Sequence, residues 1–177
     1  GRPQWPPRTT VRSAYPINVR GTVAGIGTID GDLIPRGIVQ CGDTGSAGRL
    51  KVTGALQLTP SSTVRLHVDT PRRVGGVDVG GQVFADGRIE VTLAPRISSS
   101  GSLELIKGGA GTLVGGRFAE ASLPAPGVGK FTLQYDGPSV VLRTITTHAG
   151  FDTAHPPTNA VMKNFVTASP YGWIGFY

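Results

Sequence analysis

The sequence feature that most constrains the fold is the interruption of short β-branched clusters by closely spaced glycines. In the segment 17–40, which reads INVRGTVAGIGTIDGDLIPRGIVQ, glycine stands at positions 21, 25, 27, 31 and 37. Glycine adopts the positive φ angles of tight corners without steric cost. The segment therefore predicts very short strands with frequent sharp turns, as in a β-solenoid, where each turn of the chain buries its apolar face against the next.

Longer strands are predicted between residues 50 and 93, because apolar side chains there occupy alternate positions and Arg65 and His67 fall on the opposite face. The alternating apolar residues are Leu50, Val52, Leu56, Leu58, Val64, Leu66 and Val68. Successive strands begin about 10 to 14 residues apart, which also suits a sandwich. The sequence therefore predicts an all-β fold, with a parallel β-solenoid favoured and an antiparallel β-sandwich or jelly roll as the alternative.

The two ends of the chain depart from this pattern, which divides the chain into three predicted parts. Residues 1–16 hold four prolines, so we expect an extended arm that cannot act as a central strand. Residues 17–147 are predicted to form the β domain. Residues 148–177 contain six of the 12 aromatic residues, and their ending, PYGWIGFY, is too apolar to be left in water. This last part is therefore interpreted as a docking tail.

Five consecutive segments carry a family resemblance: GTIDGDLIPRG, GSAGRLKVTGALQLTPSSTVRLHVD, GGVDVGGQVFADGRIEVTL, GSLELIKGGAGTLVGGRFA and FTLQYDGPSVVLRTI. In this order they resemble the C-terminal part of autotransporter-type passenger domains, the right-handed parallel β-helices of bacterial surface proteins. The resemblance covers about 125 of the 177 residues, without the translocator barrel and without a counterpart for the aromatic tail. It implies a right-handed solenoid that folds from its C-terminal turns, with a structural and assembly role and no active site.

The charge of the chain argues for a solvated surface more than for a dedicated anion site. The net charge is +6, from 17 Lys and Arg against 11 Asp and Glu, and the positive residues are scattered singly apart from PRR at 71–73. We therefore expect no nucleic-acid partner, which would need basic and aromatic residues interleaved on one surface. No stretch approaches the ~20 apolar residues of a membrane span, so no membrane span is expected.

The residues with chemical potential are few and poorly grouped. Cys41 is the single cysteine and stands beside an apolar run, which predicts a buried thiol. His148 and His155 have spacing that would need a helix to bind a metal. Asp30 and Asp32 share one strand face by alternation, as a general-acid pair would, but aspartates beside glycine more often serve turns. The turn interpretation extends to Asp43, Asp69, Asp78, Asp86 and Asp136.

The sequence therefore predicts a structural protein of the cell surface or extracellular space, not an enzyme, with no cofactor and no metal. Its expected partners are further copies of itself or other surface-structure proteins, with a polysaccharide as another candidate. The residues predicted to dock a partner are Trp5, Tyr171, Trp173, Phe176 and Tyr177, since aromatic residues anchor many interfaces. A carbohydrate-binding β-sandwich and a polysaccharide-active β-helix enzyme are the two alternative functions.

Overall fold

The computed structural model describes residues 9–95, 101–124, 130–145, 150–153 and 173–176. Within these ranges every regular element is a β-strand and no helix occurs, so the predicted all-β class is confirmed. The strands are short, from two to eight residues. Most of them belong to three sheets, which we call A, B and C.

The strands of each sheet follow one another in space as follows. Sheet A contains β1 (Thr10–Arg12), β4 (Thr28–Asp30), β8 (Arg49–Val52), β12 (Gly76–Val79), β15 (Ser102–Lys107), β19 (Ser139–Ile145) and β18 (Lys130–Asp136). Sheet B contains β2 (Ile17–Val19), β5 (Leu33–Pro35), β9 (Leu56–Gln57), β13 (Val83–Ala85) and β16 (Gly115–Gly116). Sheet C contains β3 (Thr22–Gly25), β6 (Ile38–Asp43), β10 (Thr63–Thr70), β14 (Arg88–Leu93) and β17 (Glu120–Ser122).

The chain visits the three sheets in a fixed order, A then B then C, from β1 to β17. The order is interrupted only by two short strands, β7 (Ser46–Ala47) and β11 (Arg73–Val74), which pair antiparallel with β6 and β10. We call each A–B–C set a rung, so that rung 1 is β1 to β3 and rung 5 is β15 to β17. Strands of neighbouring rungs pair in parallel in all three sheets, which is consistent with a β-solenoid.

The core consists of columns of apolar side chains that run from rung to rung. One column of sheet C contains Val23, Val39, Val64 and Ile89 in successive register positions. The corresponding columns of the other sheets contain Leu33, Leu56 and Val83 in sheet B and Leu50, Val77, Ile106 and Val140 in sheet A. The period-2 alternation sets this register, because a slip by one residue would turn every apolar side chain to the solvent.

Sheet A is longer than the other two sheets. β19 pairs antiparallel with β15, and β18 pairs antiparallel with β19 around a turn in which Gly137 has a φ of 54°. Val140 and Leu142 of β19 are fully buried in the core. Among the described residues the two sides of the stack therefore differ, because rung 1 ends in strand edges whereas rung 5 is followed by a hairpin in sheet A.

Both terminal parts of the chain contribute strands. Thr10–Arg12, within the predicted arm 1–16, is the edge strand of sheet A and pairs with β4. Within the predicted tail 148–177, β20 (Gly150–Thr153) and β21 (Trp173–Phe176) form a separate two-stranded parallel sheet. The end of the arm that lacks proline is thus part of sheet A, in which it is the edge strand among the described residues.

Candidate functional site

The aromatic residues predicted to dock a partner are only partly within the described ranges. Trp5, Tyr171 and Tyr177 lie outside the described residues. Trp173 and Phe176 are the first and last residues of β21, and their backbones pair with Gly150 and Thr153 of β20. Two of the predicted docking residues therefore share one strand.

The thiol of Cys41 is buried, as the sequence predicts. Cys41 lies on β6 and is 1% exposed. Burial raises the pKa of the thiol to about 12, although a backbone hydrogen bond with Leu50 and the positive charge of Arg49 act in the opposite direction. At neutral pH Cys41 is therefore a protonated thiol that packs in the core, not a thiolate nucleophile.

The carboxylates of Asp30 and Asp32 do not act as a pair. Asp30 accepts hydrogen bonds from Arg12 Nε at 3.1 Å and from Thr53 Oγ1 at 2.8 Å, whereas Asp32 Oδ1 accepts the N–H of Ala55 at 2.7 Å. A shallow cleft of about 420 Å³ is lined by Arg12, Asp30 and Thr53 among other residues. The two charged side chains of its lining, Arg12 and Asp30, form an ion pair with each other.

The turn interpretation is correct for Asp43 and Asp86 and wrong for Asp69 and Asp78, while Asp136 is the last residue of β18, directly before a turn. Asp43, which ends β6, and Asp86 accept the backbone N–H of the residue that follows each of them, as turn aspartates do. Asp69 and Asp78 instead lie within β10 and β12. They tolerate strand positions because each is paired with an arginine on the outer face of its sheet.

The outer face of sheet C carries charges that join rungs 3, 4 and 5. Arg65 Nε lies 2.8 Å from Glu90 Oε2, and Arg88 Nε lies 3.1 Å from Glu90 Oε1. Arg88 also reaches Glu120 Oε2, at 3.4 Å, on the next rung. Opposite charges directly across neighbouring strands are favourable. These groups therefore hold the rungs together.

His67 has contacts that resemble those of a catalytic triad, and they run between two neighbouring rungs. Its Nδ1 lies 2.8 Å from Thr92 Oγ1, and its Nε2 lies 3.4 Å from Asp69 Oδ1. A hydroxyl beside an imidazole that is held by a carboxylate is the arrangement of nucleophilic catalysis. The hydroxyl of Thr92 also lies 3.3 Å from the carbonyl oxygen of Leu66, so it contacts both the side chain of His67 and the backbone of β10. His67 and Thr92 therefore connect β10 and β14 at one register position.

Arg49 connects three rungs of sheet A. Its Nε and Nη2 bind the carboxylate of Asp78 at 2.7–3.1 Å, and its Nη1 donates to the carbonyl of Glu104 at 3.0 Å. Gly76 makes this path possible, because a Cβ at that position would stand 2.6 Å from Arg49 Nη1. A bidentate guanidinium–carboxylate pair of this kind is among the stronger polar contacts in proteins. We call this group the Arg49 clamp.

Rung 1 leaves one edge of all three sheets without a neighbouring strand in the described part of the chain. Its inward-facing side chains Ile17, Val19 and Val23 are only half-buried, whereas Leu33 and Val39 of rung 2 are 0% exposed. The core is therefore incompletely covered on this side. Unpaired strand edges beside apolar side chains are the kind of surface to which further β-structure adds.

Three of the five large apolar residues that stand exposed in the described ranges lie in rung 1 or its turns. Val11, Tyr15 and Ile26, which are 44%, 80% and 51% exposed, all belong to rung 1 or its turns. The other large apolar residues that stand exposed in the described ranges are Phe84 and Leu113. We call the edges of β1, β2 and β3, together with the three exposed residues, the open end, and it is the candidate functional site.

The rung-to-rung contacts escaped the sequence analysis, although the sequence contains a signal for them. Arg65 and Glu90 are 25 residues apart, as are His67 and Thr92, and this separation is one rung. Aligning the chain with itself at that period would place each pair side by side. The sequence contains a weaker signal for the open end than for the rung-to-rung contacts. The residues of the open end differ from those of other rungs in their position in the stack and not in their residue type.

No protein-family model matches the chain, and no curated protein matches it. Within the described ranges, no group of three His, Cys, Asp or Glu residues is arranged to hold a metal ion. Among the same residues, no helix has the length and apolar character to cross a membrane. The rung order and the open end are thus the features from which a function can be inferred.

Proposed function

We propose that the protein is a structural module of a cell surface or extracellular assembly, and that its three sheets close into a right-handed parallel β-solenoid of the autotransporter passenger type. The observation that carries the proposal is the fixed A–B–C order of strands over five rungs. A body of this kind gains its stability from the contact of each rung with the next. Its length follows from the number of rungs, which suits a spacer or scaffold.

The use of the polar side chains supports a structural role. The groups with the greatest chemical potential, among them His67, Asp30 and Arg49, are engaged in contacts between neighbouring rungs. Cys41 is a buried, protonated thiol. An enzyme needs a nucleophile or an acid–base pair that is free to meet a substrate. In the described residues these chemical groups instead make contacts between neighbouring rungs.

The cell-surface location is tested most directly on intact cells that produce the protein. We expect an antibody against the β domain to label unpermeabilised cells, or the protein to appear in the medium, since both compartments fit the proposal. A cytoplasmic protein tested in parallel should remain unlabelled. Labelling that appears only after the cells are permeabilised would contradict the proposed location.

The aromatic residues of the C-terminal tail are proposed to mediate contacts with further copies or with other surface-structure proteins. β20 and β21 form a two-stranded sheet separate from sheets A, B and C. Aromatic residues are favoured at contacts between proteins. Deleting residues 168–177 is expected to leave the β domain folded, as seen by circular dichroism and cooperative unfolding, and to abolish self-association or partner docking in sedimentation velocity. The matched control is Leu113→Ala, an exposed residue outside the tail. A full-length protein that is monomeric and unaffected by the deletion would contradict this role.

A second candidate function, binding of a neutral polysaccharide, is favoured by the outer face of sheet B. Its five strands contain no charged residue. Gln57 and Phe84 occupy one register position, and the Phe84 ring lies against the backbone of Gly115 with 43% of the residue exposed. Sugars present apolar C–H faces to rings and hydroxyls to amides. Glycan-array binding that is lost in Phe84→Ala and kept in Leu113→Ala would support this function, and an array without signal would count against it.

A further inference from the structure

The open end is next to the first residues of the chain. The carbonyl of Thr9 accepts the N–H of Thr28 at 2.9 Å, and Gly27 approaches Thr9 so closely that a Cβ would collide with its carbonyl oxygen. The chain is therefore bound to the edge of sheet A from residue 9 onward. Residues 1–8 start from this point and can span about 26 Å, which is more than the roughly 10 Å between packed sheets.

The spacing of the first strands shows where residues 1–8 would meet the open end. β3 begins at Thr22 and β4 at Thr28, so the first sheet C strand precedes the next sheet A strand by six residues, whereas the later connections take 11, 13 and 14 residues. β1 begins at Thr10, so a connection as short as the first one would bring Gln4 beside Thr22. Trp5 would then stand beside Val23, which packs against the core.

We propose that Trp5 of this same chain covers the open end, with its indole on Val23 and on the half-buried side chains of rung 1. An indole is the largest apolar group available for such a cover. Pro6 and Pro7 follow directly, and neither has a backbone N–H with which to pair. The segment thus covers the core without offering a complete strand edge to other molecules.

A second copy of the chain is a poorer occupant of the open end. Residues 1–29 contain four arginines and no acidic residue, since Asp30 is the first acid in the sequence. Two open ends facing each other would bring these positive charges together, which is unfavourable. The opposite arrangement, open end against rung 5, is obstructed because sheet A extends two strands beyond sheets B and C.

The inference deepens the proposed function, because it assigns the two terminal segments different tasks. Trp5 serves its own chain, whereas the aromatic residues of the tail are left for partners. The proposal for Trp5 rests on the three-sheet stack and not on the docking of a partner. If deletion of the tail did not change assembly, the proposal for Trp5 would therefore still hold. If the tests of Trp5 failed, the proposed structural role of the stack would still hold.

Fluorescence of Trp5 provides the first test. The chain has two tryptophans, so the Trp173→Phe variant reports on Trp5 alone. We expect emission shifted to shorter wavelength than in denaturant, with acrylamide quenching reduced by about threefold or more, and both independent of protein concentration. Solvent-like emission would overturn the proposal. Protection that appears only in a dimer would also overturn it, because a second copy would then be the occupant.

Hydrogen exchange provides the second test and does not depend on the fluorescence of Trp5. Removing the indole exposes rung 1, so Trp5→Ala is expected to speed exchange in Thr22–Gly25 by about tenfold, and Trp5→Phe by less. The internal control is Val83–Ala85, three rungs away, whose exchange should not change. Deletion of residues 1–8 should reproduce the effect of Trp5→Ala. Equal exchange in all of these proteins would overturn the proposal.

Discussion

Among the described residues, Cys41 is the one whose pKa is clearly changed by folding. Its pKa rises from an ordinary value of 9.0 to about 12 because the thiol is buried. Between these two values the unfolded chain releases the thiol proton and the folded chain keeps it. The folded state therefore binds more protons, and stability must fall as the pH rises through this window.

This titration predicts how the Cys41→Ala variant compares with the native protein. The free energy of unfolding of the native protein should fall, relative to the variant, by up to about 1.4 kcal/mol per pH unit above pH 9. Below pH 8 the difference between the two proteins should be constant, since the thiol is then protonated in both states. Urea unfolding under reducing conditions at several pH values measures this. A difference that stays constant into the alkaline range would contradict the burial of the thiol.

At the residue scale, the sequence predicted side-chain placement well and side-chain partners poorly. The apolar run beside Cys41 correctly predicted a buried thiol, and period-2 alternation correctly predicted the outward position of His67, because both are local signals. The turn interpretation, which rested on the residues next to each aspartate, was wrong for Asp69 and Asp78, which lie in strands. Their arginine partners stand on the outer face of the same sheets, and the residue types next to an aspartate in sequence do not reveal them.

The Arg49 clamp belongs to the scale of elements, because one side chain joins β8, β12 and β15. Arg49→Met keeps most of the apolar stem and removes the bonds to Asp78 and to the carbonyl of Glu104. We expect a loss of about 1–2 kcal/mol in the free energy of unfolding. The expected loss is limited because the side chain of Asp78 is 43% exposed and is hydrated when Arg49 is removed.

Arg12→Met is the matched control for the clamp. Arg12 also pairs with an aspartate, Asp30, but its side chain is 81% exposed and lies on the edge strand β1. Exposed ion pairs contribute little to stability, so we expect a change below about 0.5 kcal/mol. Chemical denaturation measures both variants. Equal effects at the two sites would show that Arg49 does not join the strands.

The sequence predicted the strands better than their pairing. Glycine spacing and alternation indicated the short strands, since both are local signals. The antiparallel additions β7 and β11 were not foreseen, because they are two-residue strands with no period to detect. β18 and β19 fall within the predicted β domain, yet the antiparallel pairing of β19 with β15 depends on contacts between residues far apart in the chain.

At the scale of the whole molecule, stability should increase from the open end toward the middle of the stack. Val83 and Val19 both belong to sheet B, but Val83 is 1% exposed in rung 4 and Val19 is half-buried in rung 1. Val83→Ala is expected to cost about 2–3 kcal/mol, and Val19→Ala less than about 1 kcal/mol. Thermal or urea unfolding measures both, and a larger loss at Val19 would contradict the gradient.

The two extra strands of sheet A have a consequence for length control. A stack whose two faces matched would add copies at a rate set by concentration, as fibrils do. Here an arriving copy meets a step of two strands, about 10 Å high, before sheets B and C can touch. We therefore expect this step to limit polymerisation by simple stacking. In the proposed solenoid, the length of the stack would then depend on the number of rungs in each chain and not on the concentration of the protein.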